Sequence, residues 1–258
     1  MNSKRILQIN SSILGEKSYS KRLGNAIVEK IKEKYPNSIL EQLDVVERNI
    51  PHLTPETLNA MFTPEEEHTD ETRQALQLSD KLLKQLFDCD ILVIGAPLIN
   101  RTIHSSLKAW IDHITRRGIT FGYNSAGIPI GFVSGKKVYV AMSSGGIYTD
   151  EQGKEHDFVA PYLKSFLGFL GMTDFTVFRA EGLHVPIIKD TALEKELIVL
   201  LLIKDLYLQV ICLSHDYSWL FNFQYILSKT LMSYSLNLDF NRYFFTGFNP
   251  FINKFNSI

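Results

Sequence analysis

Cysteine is scarce: Cys89 and Cys212 are the only two in 258 residues, and they form no CxxC or metal-ligand spacing. That excludes a disulfide framework and a cysteine-bound zinc, and it predicts two reduced, buried thiols in a cytoplasmic protein. Net charge is equally scarce, at −1 with an isoelectric point near 6.7, so there is no electrostatic footprint for nucleic acid. No long apolar run occurs. LIVLLLIKDLYLQVICL is broken by Lys204 and Asp205 after seven apolar residues, well short of the roughly 20 that span a bilayer. The short run after Lys4 and Arg5 ends at Asn10, too soon for the roughly 7–15 apolar residues of a secretory signal. GxxxxGK[ST] and GxGxxG are both missing, which argues against a Walker nucleotide loop and the usual dinucleotide fingerprint. The seven histidines, His52, His68, His104, His113, His156, His184 and His215, show no metal-ligand spacing and are read as structural or solvated. No internal repeat or low-complexity linker marks a second domain.

What is present is an alternation of strand-length apolar runs with helix-period segments. RILQI (Arg5 to Ile9) precedes a helix from about Ser18 to Tyr35, in which Leu23, Ile27 and Ile31 recur every four residues. SILEQLDV (Ser38 to Val45) reads as a second strand. A long polar connection with Pro51, Pro55 and Pro64 then leads to a helix from about Glu71 to Phe87. DILVIGAP (Asp90 to Pro97) is an unbroken apolar run of the kind that parallel sheets bury on both faces. A helix from about Ser105 to Thr115 follows, then the strand-like pieces ITFGY and GIPIGFV. KKVYVAMSS (Lys136 to Ser144), a helix from about Phe158 to Leu170, and FTVFRAEG (Phe175 to Gly182) complete the pattern. The expectation is an α/β fold, a doubly wound five-stranded parallel sheet with helices on both faces.

In such sheets a ligand lies outside the carboxyl ends of the strands. Three segments with suitable chemistry fall there. NSSILGEKSYSKRL follows strand one and holds Ser11, Ser12, Ser18 and Ser20 where a helix begins. Hydroxyls and free N–H groups at a helix N-terminus favour an anion, here a phosphate; a plain serine N-cap is the competing reading. Asn100, after strand three in APLINRT, can pair its amide with the polar edge of a heterocycle. Gly145 and Gly146, after strand four, let backbone approach a flat ligand. Together the three loops point to a flavin.

The chain resembles the FMN-dependent NADH azoreductase and quinone reductase family, a bacterial branch of the flavodoxin-like superfold. The resemblance is carried by SSILGEKSYS, ILVIGAPLINRTI with LKAWID, GITFGY, SGKKVYVAMSSGGIY and PYLKSFLGFLGMTDF with AEG, in order from about Arg5 to Glu196. It implies one non-covalent FMN per subunit, NADH as donor, quinones and azo compounds as acceptors, ping-pong kinetics and a homodimer; the charge and the short apolar runs add the expectation that neither nucleic acid nor membrane is a partner. The resemblance implies that Ser12 meets the phosphate, with Ser18, Tyr19 and Ser20 completing the cradle. Leu98, Ile99, Asn100 and Arg101 would run along the isoalloxazine, largely through backbone, and Ser143, Ser144, Gly145 and Gly146 would close over its pyrimidine end. No residue stands out as an essential acid or base. The family often has Met-Tyr-Asn-Phe at 98–101, so two ring contacts are lost here and a cation is gained. It also often has Arg and His where Ser144 and Tyr148 stand. A flavodoxin-type electron carrier is the alternative, though such carriers are usually strongly acidic.

The resemblance stops near Glu196, dividing a flavin-binding domain over 1–196 from an irregular extension over 197–258. From Leu197 onward alanine and glutamate vanish, and eight of the seventeen phenylalanines fall between Phe221 and Phe255. Such a composition is what A/T-rich codons yield when read out of frame. The expectation is a frameshift that replaced an amphipathic end with a poorly ordered tail; the alternative, an evolved appendage that docks on a membrane or partner, should show amphipathic periodicity, and none is sustained.

Overall fold

Arg5–Asn10 forms strand β1, buried at every position after Arg5, which is what its unbroken apolar character requires when helices cover both faces of a sheet. This computed structural model describes residues 3–195 and Leu197. The extension expected beyond residue 197, and with it Cys212 and His215, lies outside the described residues.

Strand β2 (Ile39–Asp44), β3 (Ile91–Pro97), β6 (Lys137–Ser143) and β7 (Asp174–Ala180) join β1 in one parallel sheet of order β2-β1-β3-β6-β7. Numbering these five strands by themselves gives 2-1-3-4-5, the flavodoxin-like order, with its switch point between β1 and β3. The register sets Asn10 beside Gly95, Pro97 beside Ser143, and Ser143 beside Ala180, so four strand ends share one edge. The ITFGY and GIPIGFV pieces form a separate antiparallel hairpin of β4 (Phe121–Tyr123) and β5 (Pro129–Gly131).

Helix α1 (Tyr19–Lys34) packs Leu23, Ile27, Val28 and Ile31 against Ile6, Ile91, Val93 and Ala141 on one face of the sheet. Helices α3 (Asp70–Asp88), α4 (Ser105–Ile114) and α5 (Ala160–Phe169) cover the other face. There Leu7, Ile9, Leu92, Ile94, Val138 and Val140 meet Leu82, Leu86, Leu107, Trp110, Leu163 and Leu167. Consecutive strand residues such as Ile6 and Leu7 thus serve opposite cores, the period of two made visible. Each fully buried leucine or isoleucine contributes about 1.5–3 kcal/mol.

The connection after β2 departs from expectation. It contains a further helix, α2 (Pro55–Phe62), rather than only polar loop. Thr54 caps it by accepting the Thr57 N–H at 3.2 Å, Pro55 occupies the first turn and Glu56 follows there. Pro55 therefore starts a helix, as a proline in the first turn can, because its missing N–H would have had no partner.

Candidate functional site

At the carboxyl edge of the sheet the loops are tied to one another by hydrogen bonds. Ser11 donates to Gly95 O from both its N–H (3.2 Å) and its hydroxyl (2.7 Å). Leu98 N donates to Ser143 O at 2.8 Å, and Ser144 N to Ala180 O at 3.0 Å. The loops after β1, β3, β6 and β7 are therefore a single rim, and every residue expected at the site lies on it or on the helix that starts from it.

Ser12, Ser18 and Ser20 are buried around the start of α1. Ser12 Oγ accepts from Leu14 N at 3.2 Å, turning Ile13 and Leu14 outward at 62% and 58% exposure. Ser18 is the N-cap: its Oγ accepts from Lys21 N at 3.1 Å and lies 3.1 Å from Ser20 Oγ. Both the anion reading and the simple-cap reading of Ser18 are thus compatible with the geometry. Each hydroxyl carries a single proton, and their mutual bond uses one of the two, leaving one to donate elsewhere. The N–H groups of Tyr19 and Ser20, in the first turn of α1, have no intrahelical acceptor by the geometry of a helix start. Tyr19 stacks its ring under the Arg22 guanidinium, 5.8 Å from centroid to carbon. Lys21 is held above its usual value by its hydrogen bond to Glu16, which occupies its ammonium. The cradle is consequently built of hydroxyls and amides, a donor set that fits a phosphate monoester at the positive end of a helix dipole.

The 98–101 segment is a tight turn. Ile99 and Thr102 exchange N–H···O bonds of 2.9 and 3.0 Å across Asn100 and Arg101. Those two central residues have φ of +50° and +70°, the pattern of a type I′ turn. Asparagine tolerates the left-handed region; arginine costs about 1–2 kcal/mol there. Such strain persists only where surroundings impose it, and here Leu98 is pinned to β6 while Arg101 O accepts from Phe158 N at 3.0 Å. Leu98 and Ile99 are half-buried; Asn100 and Arg101 are exposed.

The 143–146 segment is clamped from β7's side. Ser144 Oγ donates to Gly146 O at 2.8 Å, and Gly146 O, Ser144 O and Gly145 O accept from Gly182, Leu183 and His184. A Cβ on Gly145 would lie 2.7 Å from His184 Nδ1. The close approach read from the glycine pair is real at Gly145, but in this structure it accommodates the chain's own imidazole.

Several residues at this edge carried no legible signal. His156, on the short helical turn Lys154–His156, lies with its Nδ1 3.1 Å from Arg101 Nη1. Arg179 reaches Asp157 at 2.6 Å and Glu181 at 3.2 Å, and Asp157 also accepts from Val159 and Ala160 N–H at the start of α5. Only the last contact was readable, as an aspartate placed ahead of Ala160-Pro161. His104, read as structural or solvated, caps α4 by accepting from Ser106 N at 3.1 Å. Among the described residues no three or more His, Cys, Asp or Glu converge as a metal site, and no helix is long and apolar enough to cross a membrane.

A family profile described as flavodoxin-like fold matches residues 4–200. The chain is similar to the FMN-dependent NADH:quinone oxidoreductase of Herminiimonas arsenicoxydans, at 43% identity over 178 residues, covering 69% of this chain and 87% of that protein. It is 39% identical over 180 residues to the FMN-dependent NADH:quinone oxidoreductase of Cellvibrio japonicus, covering 70% and 88%. A solved FMN-dependent NADH-azoreductase from Bacillus anthracis, in complex with FMN, aligns with a TM-score of 0.66 at 27% identity, over 78% of this chain and 98% of that one.

Proposed function

We propose a chemistry that starts from one fact: this chain belongs to the flavodoxin-like family matched over residues 4–200. It is an FMN-dependent NADH:quinone reductase that also cleaves aromatic azo compounds. The observation that carries this reading is the rim itself, where a neutral hydroxyl cradle, a left-handed turn and a clamped glycine pair meet at the strand-order switch point.

The protein's part is to bind, orient and exclude water, while bound FMN supplies the two-electron redox chemistry between NADH and the acceptor. Ser12 and Ser18, with the first-turn N–H groups of Tyr19 and Ser20, hold the phosphate. The Ser20 hydroxyl completes the cradle through its shared hydrogen bond with Ser18. Leu98 to Arg101 present backbone groups to the ring, with Asn100 and Arg101 at the left-handed centre of the turn. Ser143 to Gly146 bound the ring's polar end. Donor and acceptor use the same open face and so bind in turn, which gives ping-pong kinetics. The assembly is a homodimer with one FMN per subunit, acting in the cytoplasm and limiting damage from electrophilic quinones.

The test is direct. The purified protein should take up FMN, show flavin absorption bands, release FMN on denaturation, and oxidise NADH only when a quinone or azo dye is present. A chain that takes up no flavin, or that oxidises no NADH with any acceptor, would overturn the proposal. Sedimentation of the holoprotein as a monomer would remove the dimer from it.

A further inference from the structure

Arg101 is an exposed cation on this rim, in contact with the loop between β6 and α5. Arg101 sits at the second central position of the type I′ turn, where asparagine or glycine would be accommodated with less strain. Its backbone is fastened by Phe158 N, and its guanidinium is aimed by His156. Both contacts come from the loop between β6 and α5, so the cation bridges two sides of the proposed ligand crevice.

That loop is rich in carboxylates, yet none pairs with Arg101. Asp150 accepts from Gly153 N at 2.6 Å, and Glu151 pairs with Lys154 at 2.5 Å. Asp157 is consumed by the α5 N–H groups and by Arg179, which also engages Glu181. Glu155 remains, and it too makes no ion pair within 4.0 Å of the guanidinium among the described residues. What Arg101 meets is a ring nitrogen. A guanidinium can only donate, so in this contact Nδ1 is the acceptor. One N–H of the guanidinium is thereby used to fix its direction, while the exposed group forms no ion pair within 4.0 Å among the described residues. A planar fork of this kind matches carboxylate and sulfonate oxygens.

We propose that Arg101, aimed by His156, makes this site select aromatic electron acceptors bearing a carboxylate or sulfonate over their uncharged parents. The proposal rests on the reductase reading above. Arg101 is the group that touches the acceptor's anion; His156 is a positioning residue that acts through Arg101.

The experiment compares kcat/KM of the holoenzyme, with NADH as donor, for a naphthoquinone sulfonate and for the unsubstituted naphthoquinone. Arg101→Asn removes the charge while suiting the left-handed turn, and its ratio of sulfonate to parent should fall about tenfold, the scale of one charge-assisted bond at an exposed site. Arg101→Lys should keep part of the ratio, because it keeps charge but not the fork. His156→Ala should lower the ratio, and His156→Gln, whose amide oxygen can accept from Arg101, should restore part of it. Salt raised to about 0.5 M should narrow the wild-type ratio. In parallel, titration with naphthalene-2-sulfonate, which is not reduced, measures the anion contact without turnover and should show weaker binding to Arg101→Asn.

Equal ratios in wild type and Arg101→Asn, with equal naphthalene sulfonate binding, overturn the proposal and leave the reductase intact. A wild type that reduces neither quinone overturns the reductase reading, and the titration then decides Arg101 by itself. An unchanged ratio in His156→Ala removes His156 from the account.

Discussion

Ser18 offers the sharpest test of the phosphate cradle, because the same oxygen caps a helix and would bind the ligand. Its Oγ accepts from Lys21 N and lies within 3.1 Å of Ser20 Oγ. Ser18→Ala removes the cap and should cost about 1 kcal/mol of stability, whereas Ser18→Gly should cost only a few tenths. Both remove the hydroxyl that would donate to a phosphate. A hydrogen bond to a charged group contributes about 1.5–3 kcal/mol, so FMN affinity should fall by about 10- to 150-fold in each variant. Urea unfolding of the apoprotein reads the first quantity, and quenching of FMN fluorescence on titration reads the second. The expected pattern is a dissociation between them: stability separates Ala from Gly, while FMN affinity does not. Riboflavin, which lacks the phosphate, should bind both variants as it binds the wild type. If FMN affinity instead follows stability, with Gly near wild type, Ser18 is a cap and nothing more. If riboflavin weakens as much as FMN, the loop touches the ligand somewhere other than its phosphate.

Three further outcomes are expected. Gly131→Ala would drive a Cβ into the Leu170 carbonyl carbon and the Gly171 nitrogen, both backbone atoms, and should destabilise the protein by about 1–3 kcal/mol, read as a lower urea midpoint; Gly168→Ala, in α5 with nothing within 4 Å, should be neutral or stabilising. His113 is held below its ordinary value of 6.5 by burial, against the opposing pull of its hydrogen bond to Pro51 O, and its Nδ1 is buried without a partner. Because the unfolded chain then binds the extra proton more readily, stability should fall as pH drops through 6.5, and His113→Gln should show a shallower fall in melting temperature over that range. Burial pushes the Cys89 thiol up to about 11, so about a thousandth of it is thiolate at pH 8; peptide mapping after iodoacetamide should find Cys89 unmodified in native protein and modified in urea.

How much of this was open to the sequence follows from the range over which each feature is encoded. Ile91–Pro97 was legible because a strand covered on both faces must be apolar at every position, and α1 because its buried residues recur with the helix turn. Ser18 was legible as a helix start for the same local reason. Even α2 was written locally, in Thr54-Pro55-Glu56, but three prolines near one another read first as loop. The left-handed backbone of Arg101 had no such local code: arginine does not ask for it, and it is imposed by the bond from Leu98 N to Ser143 O and the bond from Phe158 N to Arg101 O across the folded edge. The glycine at 145 announced a close approach and could not say to what; His184 occupies that place only because the turn after β7 folds back on the loop after β6. Arg101 and His156 stand 55 residues apart, and no periodicity relates them. Burial period and capping chemistry are properties of neighbouring residues, so the sequence by itself determined the layers, the strand ends and the serine-lined helix start. Which side chains face one another across the crevice depends on how the sheet's crossovers bring distant loops together, and only the tertiary structure decided that.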